Sequence, residues 1–212
     1  MPTAPTETTM QSGVATRWRC AMGASVLEIL FALGASATMT AIAIPVVGSA
    51  IDEMRIAMAA RYVAGRVRAA RMDAVRRSRA VGLRFEPRAG SDDGYVFAAF
   101  GDGNGNGVRT ADIRGGIDTA LTSDECLRDR YPGVAFGLAA DVPDVDGRLG
   151  TGDDGVRIGT AQILTMSSDG TATSGTLYIR GRGGQYAVRV LGATGRTRML
   201  QYQPGTRTWI DR

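Results

Sequence analysis

Three sets of residues in this chain have types and spacing that chemistry requires. Asp102, Asn104 and Asn106 stand at alternate positions, Gly107 is sixth in the run, and Asp112 follows. Oxygen side chains so spaced, with a glycine at the sixth position, suit a hard cation such as calcium. The closing acid departs from that pattern. Ile113 stands where a bidentate glutamate belongs, Asp112 comes one residue early, and Asp118 is a late alternative. A Gly/Asn-rich hairpin loop is the competing expectation. Gly195, Arg196 and Arg198 form a Gly-Arg-x-Arg run. Two arginines beside a turn can grip phosphates through paired N–H groups without reading bases. The competing expectation there is two solvated arginines. Glu28 is the third case, the only charge between Val26 and Ile51. A carboxylate inside a segment fit to span a bilayer costs at least ~2.5 kcal/mol on insertion scales, so it marks function by default.

Other chemistry has few candidates. All 25 basic residues are arginine, and histidine is absent. That removes the usual general base and the commonest metal ligand. The cysteines are Cys20 and Cys126. Loss of an N-terminal leader would leave Cys126 alone, with no intramolecular disulfide and no cysteine zinc site. Cys126 lies in a polar stretch, Thr122 to Pro132, where it either packs as a small apolar side chain or pairs with another chain in an oxidising compartment. A thiol nucleophile would need an activating base, and none is evident. Gly-x-Ser-x-Gly and phosphate-loop patterns are missing too. The chain is expected not to be an enzyme.

The elements that would position these residues begin with a polar leader, residues 1–23, carrying Arg17, Arg19 and Glu7. Residues 24–51 are then long and apolar enough to cross ~30 Å of hydrocarbon as a helix. The leader arginines favour a cytoplasmic N-terminus. Pro45 removes one hydrogen bond from that helix and is expected to kink it. Small residues such as Gly34, Ala35, Ser36, Ala37, Ala41 and Gly48 would let other helices approach closely, or simply reflect membrane composition. An ordinary secretory signal is an alternative, with cleavage after Ala35-Ser36-Ala37 and Thr38 as the new N-terminus. Met10 and Met22 are alternative starts.

Residues 52–79 are expected to continue the helix. Ile56, Ala59, Ala60, Val63, Val67, Ala70, Ala74 and Val75 recur near helical spacing. The opposite face carries Arg55, Arg61, Arg66, Arg68, Arg71, Arg76, Arg77 and Arg79. It is either solvated or turned to lipid phosphate, acidic neighbours or DNA.

Residues 80–212 read as one β-domain with Gly/Asp-rich loops at 101–118 and 141–155. Strands are expected at Ala80 to Glu86, Tyr95 to Phe100, Val134 to Leu138, Ala161 to Met166, Thr176 to Arg180, Gln185 to Leu191 and Arg198 to Gln203. Short turns between them favour an antiparallel sheet. Arg189 alternates with Val188 and Val190, which gives one wet face and one face on the helix. Asp141, Asp144, Asp146, Asp153 and Asp154 fit no ligand spacing and are expected in a flexible loop. The fold class is therefore α+β: a long N-terminal helix, membrane-spanning in its first half, packed on a C-terminal antiparallel β-sheet domain.

Gly23-Ala24-Ser25-Val26-Leu27-Glu28, the apolar run and Pro45 resemble the processing site and helix of type IV prepilins and type II secretion pseudopilins. Ser168-Asp169-Gly170-Thr171, Tyr186-Ala187-Val188-Arg189-Val190 and Gly195-Arg196-Thr197-Arg198 resemble the C-terminal half of the GspH/FimT family of minor pilins and pseudopilins. The likeness covers about residues 23–79 and 161–199. It implies cleavage after Gly23 by prepilin peptidase, N-methylation of Ala24, and assembly with other pilins or pseudopilins through the helix. Glu28 would then meet the free amine of a neighbouring subunit. It also implies a bacterial inner-membrane protein with a periplasmic C-terminal domain, in a secretion pseudopilus or a type IV pilus. Within that branch a Gly-Arg-x-Arg turn is tied to DNA binding in uptake, which maps onto Gly195, Arg196 and Arg198. Arg180, Arg182, Arg189 and Arg207 are candidates to extend that patch. A calcium-binding module with a membrane anchor, unrelated to filaments, is the remaining alternative.

Overall fold

The computed structural model describes residues 25–88, 94–149 and 155–212. The cleavage residues Gly23 and Ala24, Cys20, Asp153 and Asp154 lie outside them. The chain divides into two compact units, residues 1–43 and 44–212.

Ser25 opens the first element, the helix α1, Val26–Arg77. Its hydroxyl accepts the Glu28 N–H at 3.2 Å and its carbonyl accepts the Ile29 N–H at 3.1 Å. Ser-x-x-Glu at a helix start is the spacing of a capping box. α1 passes through Pro45. Every side chain from Val26 to Ala50 is exposed except Ala35, including Leu27, Phe31, Leu33 and Ile42. Its length and apolar composition are those of a membrane-crossing helix. Polar side chains here satisfy themselves one turn back. Ser36 donates to the Ala32 carbonyl at 2.7 Å, Thr40 to that of Ser36 at 2.8 Å, and Ser49 to that of Val46 at 2.9 Å. Hydrocarbon offers no water, so self-satisfied hydroxyls fit that setting.

Further along, α1 buries Ile56, Ala59, Ala60, Val63, Ala64, Val67, Ala70 and Ala74. Small residues dominate this stripe and let strands pack close. Val75, expected in the stripe, is 47% exposed, and Ala64 takes its place. Ser78 ends the helix in the left-handed region at φ 51°. The Arg79 N–H reaches the Ala74 carbonyl and the Ser78 N–H the Val75 carbonyl, each at 3.2 Å. This is a Schellman cap with serine in glycine's usual place.

The remaining elements are β1 Val81–Pro87, β2 Tyr95–Gly101, α2 Thr110–Arg114, β3 Thr119–Ala120, β4 Glu125–Cys126, α3 Leu127–Arg130, β5 Ala135–Phe136, β6 Val156–Arg157, β7 Ile163–Met166, β8 Gly175–Gly181, β9 Gly184–Leu191, β10 Arg196–Gln203 and β11 Thr208–Asp211. They form two antiparallel sheets rather than one. The first has the order β3-β2-β1-β7, with β4 also on β2. The second has the order β11-β10-β9-β8-β5, with β6 also on β8. The break falls between β7, which returns to β1 with Leu83 opposite Leu164, and β8, which begins a meander.

The α1 stripe packs against both sheets, with Leu83, Phe85 and Phe97 from the first and Leu177, Ile179, Val188 and Val190 from the second. Phe136 of β5 closes the gap between sheets, edge-on to Phe85 at 5.6 Å and to Phe97 at 6.0 Å. The other face of the second sheet is not wholly wet. Leu138, Val142, Tyr178, Ala187 and Tyr202 form a second small core, with Trp209 and Leu200 packed on it. The Trp209 indole N–H donates to the Pro143 carbonyl at 2.9 Å, and the Tyr178 hydroxyl accepts the Val145 N–H at 3.1 Å. Two amphipathic strand faces and one helix stripe thus give the chain a two-layered apolar interior.

Candidate functional site

Gly195 ends the turn between β9 and β10 in the left-handed region, φ +60°. It is buried, and its N–H donates to the Leu191 carbonyl at 2.8 Å. A Cβ there would run into the Gly170 carbonyl and stand 2.9 Å from Arg71 Nε. Arg71 Nε donates to that same Gly170 carbonyl at 3.3 Å. Glycine therefore lets α1 and two turns converge. Arg196 and Arg198 follow at once, both exposed. The Arg198 guanidinium pairs with Asp211 Oδ2, at 2.9 Å from Nε and 2.7 Å from Nη2.

A groove of about 540 Å³ runs between this strand and α1, lined by Arg61, Ala64 and Arg68 on the helix, by Arg196, Arg198 and Asp211 on the strands, and by Arg212 just beyond them. A shallower one of about 410 Å³ adjoins it, lined by Arg68, Arg71, Met72, Gly195 and Arg196. Arg61 and Arg68 are seven residues apart, two helical turns, and so share a face. Among the described residues, Arg61, Arg68 and Arg196 form no ion pair. The site is thus a basic trough, with Asp211 the one acidic side chain among its described lining residues, able to bind anions.

The other arginines expected to extend this patch do not. Arg189 stands opposite Arg198 in register, but its guanidinium is held by Asp146 at 2.9 Å. Arg182 and Arg207 lie in the β8–β9 and β10–β11 turns, at the opposite end of the second sheet from Gly195. Arg180, near the end of β8, goes with them.

The Asp102 loop is closed by its own hydrogen bonds. Asp102 is buried; Oδ1 accepts the N–H of Asn104 at 3.2 Å and of Gly105 at 2.7 Å, and Oδ2 accepts that of Gly107 at 2.8 Å. Asp118 accepts the N–H of Gly103 at 3.0 Å and of Arg109 at 2.9 Å. The Asn106 amide donates to Asp112 at 3.0 Å, and that of Asn104 at 3.5 Å. Among the described residues no three Asp, Glu or Cys side chains converge.

The 141–149 part of the acidic tract is ordered by Asp144. This carboxylate is buried; it accepts the N–H of Asp146 at 2.9 Å and of Arg148 at 2.7 Å, and it pairs with Arg157 at 2.6 Å. Burial opposes its charge, but the Arg148 and Asp146 amides and the Arg157 guanidinium outweigh that and hold its carboxyl below the ordinary value.

A further cluster carried no sequence signal. Glu125 accepts from the Tyr62 hydroxyl and the Arg66 guanidinium, and Arg130 lies 4.6 Å over the Tyr62 ring. Burial, then the Glu125 hydrogen bond, raises the Tyr62 pKa. The cluster pins α1 to β4. Cys126, half-buried beside it, faces Val96 across the ladder.

No family model, curated protein or solved structure matches the chain. The functional reading therefore rests on the residues and the fold.

Proposed function

We propose that this chain is a minor pilin or pseudopilin, a non-enzymatic structural subunit of a type II secretion pseudopilus or type IV pilus. The observation that carries this reading is Glu28. It is the sole charge in an apolar helical stretch whose side chains are exposed, and that stretch continues into a helix docked on antiparallel sheets. Such a surface needs lipid or other helices to cover it. In either setting a lone carboxylate calls for a cationic partner, and the amine of a neighbouring subunit's first residue supplies one. Prepilin peptidase would cut after Gly23 and methylate Ala24. Pro45 and the small residues before it would shape helix packing in the filament. The C-terminal domain would face the periplasm. Intact-mass and N-terminal analysis after co-expression with a prepilin peptidase should give a chain beginning at N-methylated Ala24. A chain beginning at Thr38 instead would mean an ordinary secretory signal, and the filament reading would fail.

The basic trough supports a second reading, a minor pilin that binds DNA during uptake through Gly195, Arg196 and Arg198, with Arg61 and Arg68 added from α1. Arg196→Ala with Arg198→Ala should weaken duplex retention in a gel shift and lower the salt slope by about two. No retention of the unmutated protein at low salt would end it. Calcium at Asp102, Asn104, Asn106 and Asp112 belongs to the third reading, that of an anchored cation-binding module.

A further inference from the structure

β11 covers β10 only from Leu200 to Gln203. Before that, from Arg196 to Met199, β10 has β9 on one side and, among the described residues, no strand on the other. The alternation of the ladder tells which groups are free. The Arg212 N–H donates to the Met199 carbonyl at 2.9 Å, so Met199 turns its backbone away from β9. Alternate residues of an antiparallel strand turn the same way, so Thr197 does too. The N–H and C=O of Thr197 and the N–H of Met199 thus point along an open edge, with no partner among the described residues. The Thr197 hydroxyl is buried and unpartnered as well.

This edge opens into the groove whose far wall is α1 with Arg61 and Arg68. Residues paired across a ladder share a face, so Thr197 and Met199 lie with Val190 and Val188 on the α1 side. Arg196 and Arg198 lie on the other. An extended chain entering here meets cations on both of its faces.

We infer that this edge takes a β-strand from a partner protein, an acidic extended segment that prolongs the place of β11 in the sheet. Donors and acceptors alternate along the free edge, and an incoming strand matches both. A phosphate backbone would answer the charges but has no donor for the Thr197 carbonyl. A second copy of the same edge would bring arginine against arginine, the usual way of blocking self-pairing. The charge therefore selects an acidic strand. This goes beyond the filament reading and does not depend on it.

Full-length protein in neutral detergent micelles, titrated into a fluorescein-labelled peptide of repeating Glu-Glu-Val-Val, whose glutamates fall on both strand faces, should give saturable anisotropy. Thr197→Pro removes the outward donor while the bonds of β10 to β9 stay intact, a substitution edge strands tolerate. It should weaken binding about tenfold, the equivalent of roughly one lost hydrogen bond. Arg61→Glu with Arg68→Glu should weaken it at least as much. The same peptide N-methylated at alternate residues keeps its charge but loses strand donors, and it should bind the unmutated protein as poorly; this arm holds even if Thr197→Pro does not fold. Equal affinity for the methylated and parent peptides would reduce the effect to charge and overturn the inference. So would a DNA duplex that binds the groove while the peptide does not.

Discussion

Gly195 concentrates two constraints that are separable by substitution. Its φ of +60° disfavours any side chain, and a Cβ would press on the Gly170 carbonyl and the Arg71 side chain. Gly105 shares only the first constraint: φ is +83° and the space around it is open. Gly205 shares neither. Alanine at the three positions should therefore grade in cost. Gly205→Ala should be near neutral, Gly105→Ala should cost about 1 kcal/mol for the backbone conformation, and Gly195→Ala should cost about 2–3 kcal/mol because the clash is added. Thermal melts of the three variants read the order directly. Equal melting temperatures for Gly195→Ala and Gly205→Ala would mean that the convergence of Arg71, Gly170 and the β9–β10 turn contributes nothing. Asp102 shows the same local logic in polar form. Its two oxygens take three backbone N–H groups, so the 102–107 run is closed by a side chain that looks, in sequence, like the first ligand of a cation loop.

At the scale of elements, what could be read in advance was whatever depended on local periodicity. The buried stripe of α1 follows a 3.6-residue repeat and was legible almost residue by residue, Val75 and Ala64 excepted. Its end was legible to within a residue or two, although serine rather than glycine takes the left-handed cap. The long strands β1, β2, β8, β9 and β10 carry alternation or apolar runs of their own. β3, β4 and β6 are two-residue pairings created by their partners and leave no local pattern. β11 is short, with a charge at its end, and exists because β10 offers an edge. The split into two sheets depends on β7 returning to β1 across some eighty residues, a non-local choice. The Gly-Arg-x-Arg turn was plain, but the arginines that join it come from α1, and only tertiary packing brings them near. The places of Arg182 and Arg207 depend on strand pairing, and the pairing follows a simple rule. In a meander, successive turns fall at alternate ends, so hairpin parity alone puts them away from Gly195.

For the whole molecule, the absence of histidine and lysine sharpens how stability must respond to pH. No side chain has an ordinary pKa between about 5 and 8, so stability should be flat there. The 25 arginines stay charged throughout, and only the 21 carboxylates titrate in acid. Protonating them all carries the net charge from +4 toward +25, and the compact state must then hold unrelieved repulsion. Asp144 sets the sign at residue level. Its folded pKa lies below its unfolded one, so the unfolded chain binds its proton first as pH falls. The contribution is complete above the unfolded value of about 3.9 and is lost as pH drops through the folded value. Asp169, held low by the hydroxyl and N–H of Thr171, acts in the same direction. Melts of the full chain in neutral detergent should therefore coincide at pH 7 and pH 6, then fall steeply below about pH 4. Asp144→Asn keeps acceptors for the Asp146 and Arg148 amides but cannot titrate, so it should melt lower at pH 7 and lose less on acidification. A melting temperature that holds steady to pH 3, or an Asp144→Asn profile parallel to the parent's, would show that the carboxylate–arginine pairs across the β-domain do not control its stability.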